Sequence, residues 1–243
     1  MAASSCSSDK NFDGASSNSG ITKVPIPGST PVANGPFDRV YLDNSTVVVS
    51  APTVKSGESI TLTLELKDGG GNPIGVGGQT VFFYYGGGTS TGKIRQARDP
   101  DVKAVYTATF TGLVSGTATQ ISASVNGNLL NTAKPTVTVT PGDPDATQST
   151  LAVTPSTTVV HPGSRTVTLV AKDVNGNLVG TGGATFSFNH IGGTSTGTFS
   201  ALNDLGNGTY TATFNTTAAG TPTRVRGVIN GQTLTQEVTV DVN

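Results

Sequence analysis

The side chains that most often perform catalysis are scarce in this chain. Its 243 residues include two histidines, His161 and His190, and one cysteine, Cys6. The two histidines occupy different positions of an internal repeat, and neither has a histidine counterpart in the other copy. Serine is so frequent that a Ser-His-Asp set would arise by chance, so no catalytic triad is predicted. The sequence predicts a protein that is not an enzyme, with both histidines at the surface.

Oxygen-rich turns are the remaining candidates for metal chemistry. Asp143 and Asp145 lie close together, and Asp173 precedes Asn175 and Asn177. Calcium takes roughly six to eight oxygen ligands, more than either place offers. Ordinary Asx turns explain both places better. Zinc would need a Cys/His cluster, and phosphate a glycine loop that opens a helix. The sequence therefore predicts neither a metal site nor a cofactor.

One alternation of side chains indicates a binding surface. If Val81, Phe83 and Tyr85 face a core, then Phe82 and Tyr84 point to the opposite face of the same strand. Two outward aromatic side chains on one strand are unusual in a monomeric protein. The pattern therefore predicts that Phe82 and Tyr84 contact a partner.

Basic residues follow soon afterwards at Lys93, Arg95 and Arg98, and we expect them on a neighbouring strand or loop. An aromatic patch with a basic rim is typical of an interaction surface. We expect the occupant to be a protein: a receptor or another copy of this chain. Two alternatives stay open: residues 21–36 of the same chain cover the patch, or a glycan stacks on Tyr84.

The strands that position these residues belong to a sequence pattern that occurs twice. Copies of one pattern, about a hundred residues long, follow each other along the chain. The matching strings are Tyr-Thr-Ala-Thr-Phe at 106–110 and 210–214, Gly-Gly-Thr-Ser-Thr-Gly at 87–92 and 192–197, and Asn-Gly at 126–127 and 230–231. Two domains with one fold are therefore predicted.

Composition and alternation indicate an all-β fold. Charged residues make up 12% of the chain and the net charge is -1, which leaves no strong field to hold nucleic acid. Apolar residues alternate with threonine and serine rather than following a helical period. In the first copy, strands are predicted at 46–50, 60–66, 80–85, 104–110, 120–125 and 135–139. Many short strands with turns about every ten residues are typical of immunoglobulin-like β-sandwiches, in which Tyr106 and Tyr210 would serve as tyrosine corners.

The chain divides into four predicted segments. Residues 1–36 form a flexible tail, rich first in Ser, Gly and Asn and then in Pro, with too little apolar surface to fold. Residues 37–140 form the first sandwich and residues 149–243 the second. Residues 141–148 form a linker stiffened by proline, so we expect the two sandwiches to sit end to end.

The second copy carries a resemblance to a known family. Lys-Asp-Val-Asn-Gly-Asn-Leu-Val at 172–179, Gly-Gly-Ala-Thr-Phe at 182–186 and Asn-Gly-Thr-Tyr-Thr-Ala-Thr-Phe at 207–214 resemble bacterial Ig-like (Big-1) domains of the invasin and intimin type. The linker is similar to the joint between domains in that family. The first copy departs from the pattern at 93–103, which puts the shape of that loop in question. The resemblance implies stalk or tip modules of extracellular adhesins on the bacterial cell surface, associated with the outer membrane.

The surroundings of Cys6 resemble a second bacterial feature. Ala-Ser-Ser-Cys-Ser-Ser-Asp at 3–9 is similar to the cleavage site of a lipoprotein, except that Ala3 stands where leucine is usual and no apolar run precedes it. Cys6 is therefore a candidate for lipidation, the membrane being reached only through that anchor; the alternative is a free cysteine in the tail. The function predicted is a surface spacer or adhesin. The alternative is a subunit of an extracellular filament, or a virion decoration protein, whose tail is ordered by neighbouring copies.

Overall fold

The computed structural model describes residues 40–155 and 157–243. The predicted tail, with Cys6 and residues 21–36, lies outside this range. Within it the chain forms eighteen β-strands. No helix in the described part is long and apolar enough to cross a membrane.

Nine strands form what we call the first module. They are β1 (Thr46–Val49), β2 (Thr53–Lys55), β3 (Ser59–Glu65), β4 (Val81–Gly86), β5 (Thr91–Ile94), β6 (Val105–Val114), β7 (Thr119–Val125), β8 (Asn128–Leu129) and β9 (Thr136–Thr140). Sheet I has the strand order β1-β3-β6-β5, and sheet II has the order β2-β9-β7-β4, with β8 beside β7. All pairings are antiparallel except β2 with β9.

Nine further strands form the second module in the same plan. They are β10 (Thr150–Thr154), β11 (Thr158–Val159), β12 (Ser164–Val170), β13 (Phe186–Ile191), β14 (Thr196–Phe199), β15 (Asn203–Asp204), β16 (Thr209–Ala218), β17 (Thr223–Ile229) and β18 (Gln232–Val242). Sheet III runs β10-β12-β16-β14, with β15 beside β16, and sheet IV runs β11-β18-β17-β13. The second module therefore repeats the plan of the first, with two exceptions: one long β18 replaces β8 and β9, and β15 stands where the first module has only the isolated bridge between Arg98 and Thr107.

Each module has its own hydrophobic core between its two sheets. In the first, Leu62, Leu64 and Phe110 of sheet I pack with Ile121 and Val137 of sheet II, and all five are fully buried. The alternation that predicted these strands is what fills the core, because every second side chain of β3 and β6 is buried. A separate core of the same kind lies between sheets III and IV.

The predicted strands of the first copy match β1, β3, β4, β6, β7 and β9 to within a few residues. The short edge strands β2, β5 and β8 were missed, since two to four residues are too few for alternation to be read. Both Asn-Gly pairs turn hairpins as predicted: Asn126 and Gly127 have φ values of 49° and 84°, and Asn230 and Gly231 have 49° and 78°. Positive φ at both positions is the mark of a type I′ turn.

The divergent loop at 93–103 keeps the backbone course of its counterpart. Val102 and Ala104 have φ values of 54° and 61°, where the second module has Gly206 and Gly208 at 73° and 77°. Asp99 stabilises the loop by accepting hydrogen bonds from the N–H groups of Lys103 and Ala104. The first module thus holds a left-handed backbone with side chains that disfavour it.

Candidate interaction surfaces and the joint between the modules

The outward direction of Phe82 and Tyr84 is as the sequence predicts. Both side chains lie on the outer face of sheet II and are 50% and 44% exposed. They belong to β4, which is an edge strand of that sheet. The Tyr84 hydroxyl lies 3.1 Å from Ser124 Oγ on the neighbouring β7. Tyr85 departs from the expectation: its ring packs edge-on against Phe110, but it stays 38% exposed because it lies near the strand end.

Leu129 extends this surface across the sheet. Ser124 of β7 is paired with Phe82 on one side and with Leu129 of β8 on the other, so the three residues form one row on the outer face. Leu129 is 61% exposed. We call Phe82, Tyr84 and Leu129 the aromatic face. Sequence reasoning missed Leu129 because β8 has only two residues and its register follows from the hairpin.

The second module has different chemistry at the same place. Ser187 and Asn189 replace the two outward aromatics on β13. On the strands beside them, Arg224 and Arg226 both bond to Glu237. The outer face of sheet IV is therefore polar, with two arginines paired to one glutamate.

The basic residues do not form a rim around the aromatic face. Lys93 lies on β5, which belongs to sheet I, whereas Phe82 and Tyr84 belong to sheet II. Ile94 points into the core, so its neighbours Lys93 and Arg95 point out from the opposite side of the sandwich. Arg98 lies beside Thr107 on that same outer face. The predicted single patch is wrong in this respect, because the chain changes sheets between β4 and β5.

A hydrogen-bonded joint connects the two modules. Asn175 and Asn177, in the turn after β12, donate to Ser56 Oγ of the first module at 2.8 and 2.9 Å. Asn177 Nδ2 also lies 2.8 Å from the Leu113 carbonyl, and its Oδ1 accepts a hydrogen bond from Ser115 N–H at 3.0 Å. Both side chains therefore reach across to backbone and side-chain groups of the first module.

Asp173 holds this turn in place. The residue is fully buried. Its carboxylate accepts hydrogen bonds from the N–H groups of Asn175 and Asn177, and from Gly142 N–H in the connecting segment at 2.8 Å. Burial alone would raise the pKa of Asp173, but the hydrogen bonds from Gly142 and Asn177 outweigh burial and hold the pKa below its ordinary value of 3.8. The carboxylate therefore accepts hydrogen bonds from backbone N–H groups, as in an Asx turn, and from the Asn177 side chain.

The connecting segment is fixed at two further points. Lys55 Nζ lies 3.1 Å from Asp143 Oδ1, and this ion pair raises the pKa of Lys55. Asp145 accepts hydrogen bonds from the hydroxyl and N–H of Thr147, which lower the pKa of Asp145. Within the described residues no three His, Cys, Asp or Glu side chains are grouped as a metal site.

A cavity of about 610 Å³ lies beside the joint, between the connecting segment and residues 179–184. The hydroxyl of Tyr210 at its floor accepts a hydrogen bond from Ala184 N–H at 3.3 Å. In the first module, Tyr106 is held by both the N–H and the side chain of Gln79, at 2.8 and 2.5 Å. Burial raises the pKa of Tyr106. Both tyrosines thus tie their strand to the segment that leads into the next sheet, which is a structural role as predicted. Their partners lie 27 and 26 residues earlier in the chain, so neither contact is the local tyrosine corner that was expected.

The histidines have no catalytic partners among the described residues. His161 is exposed, and its Nδ1 lies 3.1 Å from Thr216 Oγ1. His190 is half-buried, with its ring 5.6 Å from that of Phe214. The surface prediction is therefore correct for His161. It is wrong for His190, which is half-buried and packs against Phe214.

Two mainly antiparallel sheets, a core between them and a buried tyrosine hydrogen-bonded to the segment before the next sheet define each module as an immunoglobulin-like β-sandwich. The family model for domain 3 of invasin matches residues 41–142 and again residues 145–243. The chain belongs to this family of invasin Ig-like domains, which it contains as two tandem copies. A search of curated proteins finds no match.

Solved structures agree with this fold. One is that of FdeC, described as a broadly conserved Escherichia coli adhesin that elicits protection against urinary tract infections, with 26% identity and a TM-score of 0.55 over 85% of this chain and 66% of that one. Another is invasin, described as a bacterial integrin-binding protein, with 23% identity and a TM-score of 0.50 over 84% of this chain and 41% of that one. The chain thus spans less than two thirds of either relative's length.

Proposed function

We propose that this chain serves as a non-enzymatic part of an adhesin at the bacterial surface. Its two modules act as a stiff spacer, and the aromatic face of the first module binds a protein partner. Membership of the invasin domain family supports the adhesin class. The likeness to FdeC, itself an adhesin, supports it further.

The observation that carries the proposal is the aromatic face itself. Phe82, Tyr84 and Leu129 expose about half or more of their surface on one flat sheet face, with the small Ser124 between them. Aromatic side chains are the commonest hot spots of protein interfaces. The matching face of the second module is occupied by an arginine–glutamate network, so the fold does not require aromatics there.

The joint supports the spacer role. Asn175 and Asn177 bond across to the first module, and Asp173 clamps the connecting segment through Gly142. A joint with several directional hydrogen bonds restricts bending more than a flexible linker of the same length would. A spacer of this kind would present the aromatic face at a defined distance from its attachment.

The test is adhesion of beads coated with the purified chain to cultured epithelial cells. We expect wild-type beads to adhere, and we expect Phe82→Ser with Tyr84→Asn, the residues of the second module, to reduce adhesion strongly. Loss of one aromatic hot spot at about 2 kcal/mol corresponds to a roughly thirtyfold loss of affinity, and loss of both with additive effects corresponds to a roughly 700-fold loss. Val160→Ser is the control, because Val160 is 70% exposed but lies in the second module.

Equal adhesion of the wild type and the double variant would remove the aromatic face from the proposal. Failure of wild-type beads to adhere would remove the adhesin function of these two modules. Light scattering of the purified chain separates the alternative: a large particle in solution would favour a filament or virion subunit.

Cys6 lies outside the described residues, and lipid tethering through it stays a prediction. Transfer of the chain into a detergent phase, lost on Cys6→Ser, would test it.

A further inference from the structure

Three cations form a straight row on the outer face of sheet I. Lys93 is paired with Thr111, Arg95 N–H bonds to the Thr109 carbonyl, and Arg98 is bridged to Thr107. The three threonines are alternate residues of β6, so the Cα atoms of successive cationic residues lie about 7 Å apart along the strand and the row extends for about 14 Å. All three cations are exposed. We call Lys93, Arg95 and Arg98 the cationic row.

Hydroxyl groups lie beside the row. Thr107, Thr109 and Thr111 face outward on β6, and Ser59, Thr61 and Thr63 oppose them on β3. A shallow groove of about 370 Å³ runs between Thr61, Thr107 and Thr109 on one side and Arg95 and Arg98 on the other. The face therefore offers a line of positive charge next to two lines of hydrogen-bonding hydroxyls.

Within the described chain, no ion pair involves Lys93, Arg95 or Arg98. The ion pairs found there join other residues: Lys55 with Asp143, Lys67 with Glu65, and Arg224 and Arg226 with Glu237. Asp99, next to Arg98 in sequence, uses its oxygens on the N–H groups of Lys103 and Ala104. Glu65, on β3 of the same sheet, pairs with Lys67 at 3.5 Å.

We propose that the cationic row and its hydroxyl lines bind a sulfated polysaccharide. Guanidinium groups pair with sulfate oxygens through two parallel hydrogen bonds, as they do with phosphate and carboxylate. A linear polyanion matches a linear row of three charges better than a single small anion does, and serine and threonine hydroxyls suit sugar hydroxyls. This site is on the opposite side of the sandwich from the aromatic face and does not depend on the proposed protein partner.

Two other polyanions fit less well. Single-stranded nucleic acid is usually held by stacking its bases on aromatic side chains, and no exposed aromatic of the described chain belongs to this face. An anionic membrane is usually met by basic residues interleaved with apolar ones, whereas threonine and serine surround this row. Binding to single-stranded nucleic acid and to an anionic membrane is therefore measured as well in the experiment below.

The experiment measures binding of the full chain to fluorescently labelled heparin at several salt concentrations. For three neutralised charges we expect the logarithm of the binding constant to fall with the logarithm of salt with a slope of about −2 to −3. The variant Lys93→Thr, Arg95→Ser, Arg98→Asn installs the residues of the second module and should lose at least about tenfold in affinity and most of that slope. Its thermal unfolding should match the wild type, because all three side chains are exposed.

A transplant provides the matched control. Thr198, Ser200 and Asn203 occupy the same register beside β16, opposite Asn215, Thr213 and Thr211. Adding Thr198→Lys, Ser200→Arg and Asn203→Arg to the triple variant should restore heparin binding. Lys134→Thr, which removes an exposed cation elsewhere in the first module, should change neither affinity nor slope.

The proposal is overturned if the triple variant binds heparin as the wild type does, or if the wild type does not bind heparin at low salt. Equal binding of desulfated heparin would also overturn it, because charge pairing would then be unnecessary. Tighter binding to single-stranded DNA, or to vesicles containing phosphatidylserine, than to heparin would assign the row to nucleic acid or to a membrane instead.

Discussion

The two modules share a strand plan but differ on both outer faces. The first module exposes Phe82 and Tyr84 on one sheet and carries the cationic row on the other, while the second has Ser187 and Asn189, and Thr198 and Ser200, at the matching positions. Since the second module folds without these side chains, the fold does not need them. The side chains that we propose for binding therefore lie in the first module, and the second module, which lacks them, is the reference against which their effect can be measured.

At the joint the difference runs the other way: the turn of the second module has the additional contacts, and the matching turn of the first module does not. The turn after β12 reads Asp-Val-Asn-Gly-Asn at 173–177 and bonds to the preceding module, whereas its counterpart reads Asp-Gly-Gly-Gly-Asn at 68–72. Asp173 is fully buried, and Asp68 is half-buried with its Oδ1 on the N–H groups of Gly70 and Asn72. The same turn is thus a local cap in one module and a clamp between modules in the other.

Among substitutions that test the difference between the two turns, we expect the largest effect from Asp173→Ala. The change leaves the buried N–H group of Gly142 and the part-buried N–H groups of Asn175 and Asn177 without an acceptor, and should lower the free energy of unfolding by about 3 kcal/mol. Asp68→Ala should cost only about 1 kcal/mol, because water can replace its more exposed carboxylate. Urea denaturation measures both; equal costs would contradict the idea that Asp173 acts as a clamp.

Acid should weaken the joint by the same route. The folded-state pKa of Asp173 is lowered, so its contribution to stability is fully present above the unfolded-state pKa, about 3.9, and is lost as pH falls through the lower folded-state pKa. Stability followed from about pH 5 to about pH 2 should decline below about pH 4, and Asp173→Asn should decline less. A decline that is unchanged in Asp173→Asn would assign it to other carboxyl groups, such as Asp145, whose pKa is also lowered.

The smallest expected effect concerns the hydrogen bonds made by the hydroxyl groups of Tyr106 and Tyr210. Tyr106 donates to Gln79 Oε1, whereas at the buried Tyr210 the counterpart Ala184 supplies only an N–H donor. Gln79→Ala should therefore destabilise the first module by about 2 kcal/mol, and Ala184→Gln should stabilise the second by about 1 kcal/mol. The cavity beside Ala184 has room for the longer side chain. Differential scanning calorimetry would measure both; destabilisation by Ala184→Gln would mean that the tie at Tyr210 is already complete.

Much of the fold was readable from local sequence. Alternation located β3, β4, β6 and β7, and Asn126-Gly127 marked the hairpin, because these signals act between near neighbours. Only part of the candidate site could be predicted from the sequence. Outward exposure of Phe82 and Tyr84 follows from a period of two, but the position of Lys93 depends on which sheet β5 joins, and no local pattern encodes that choice.

The sequence by itself determined the repeat, the all-β class, the hairpin turns and the outward direction of Phe82 and Tyr84, since each depends on residues close together along the chain. Only the tertiary structure decided that Lys93, Arg95 and Arg98 share an outer face opposite the aromatic one, that Leu129 lies in line with Phe82, and that Asn175 and Asn177 bond to Ser56. These relations join residues brought together by sheet pairing and by the joint. Such contacts are set by the packing of two cores, which is a property of the whole folded chain.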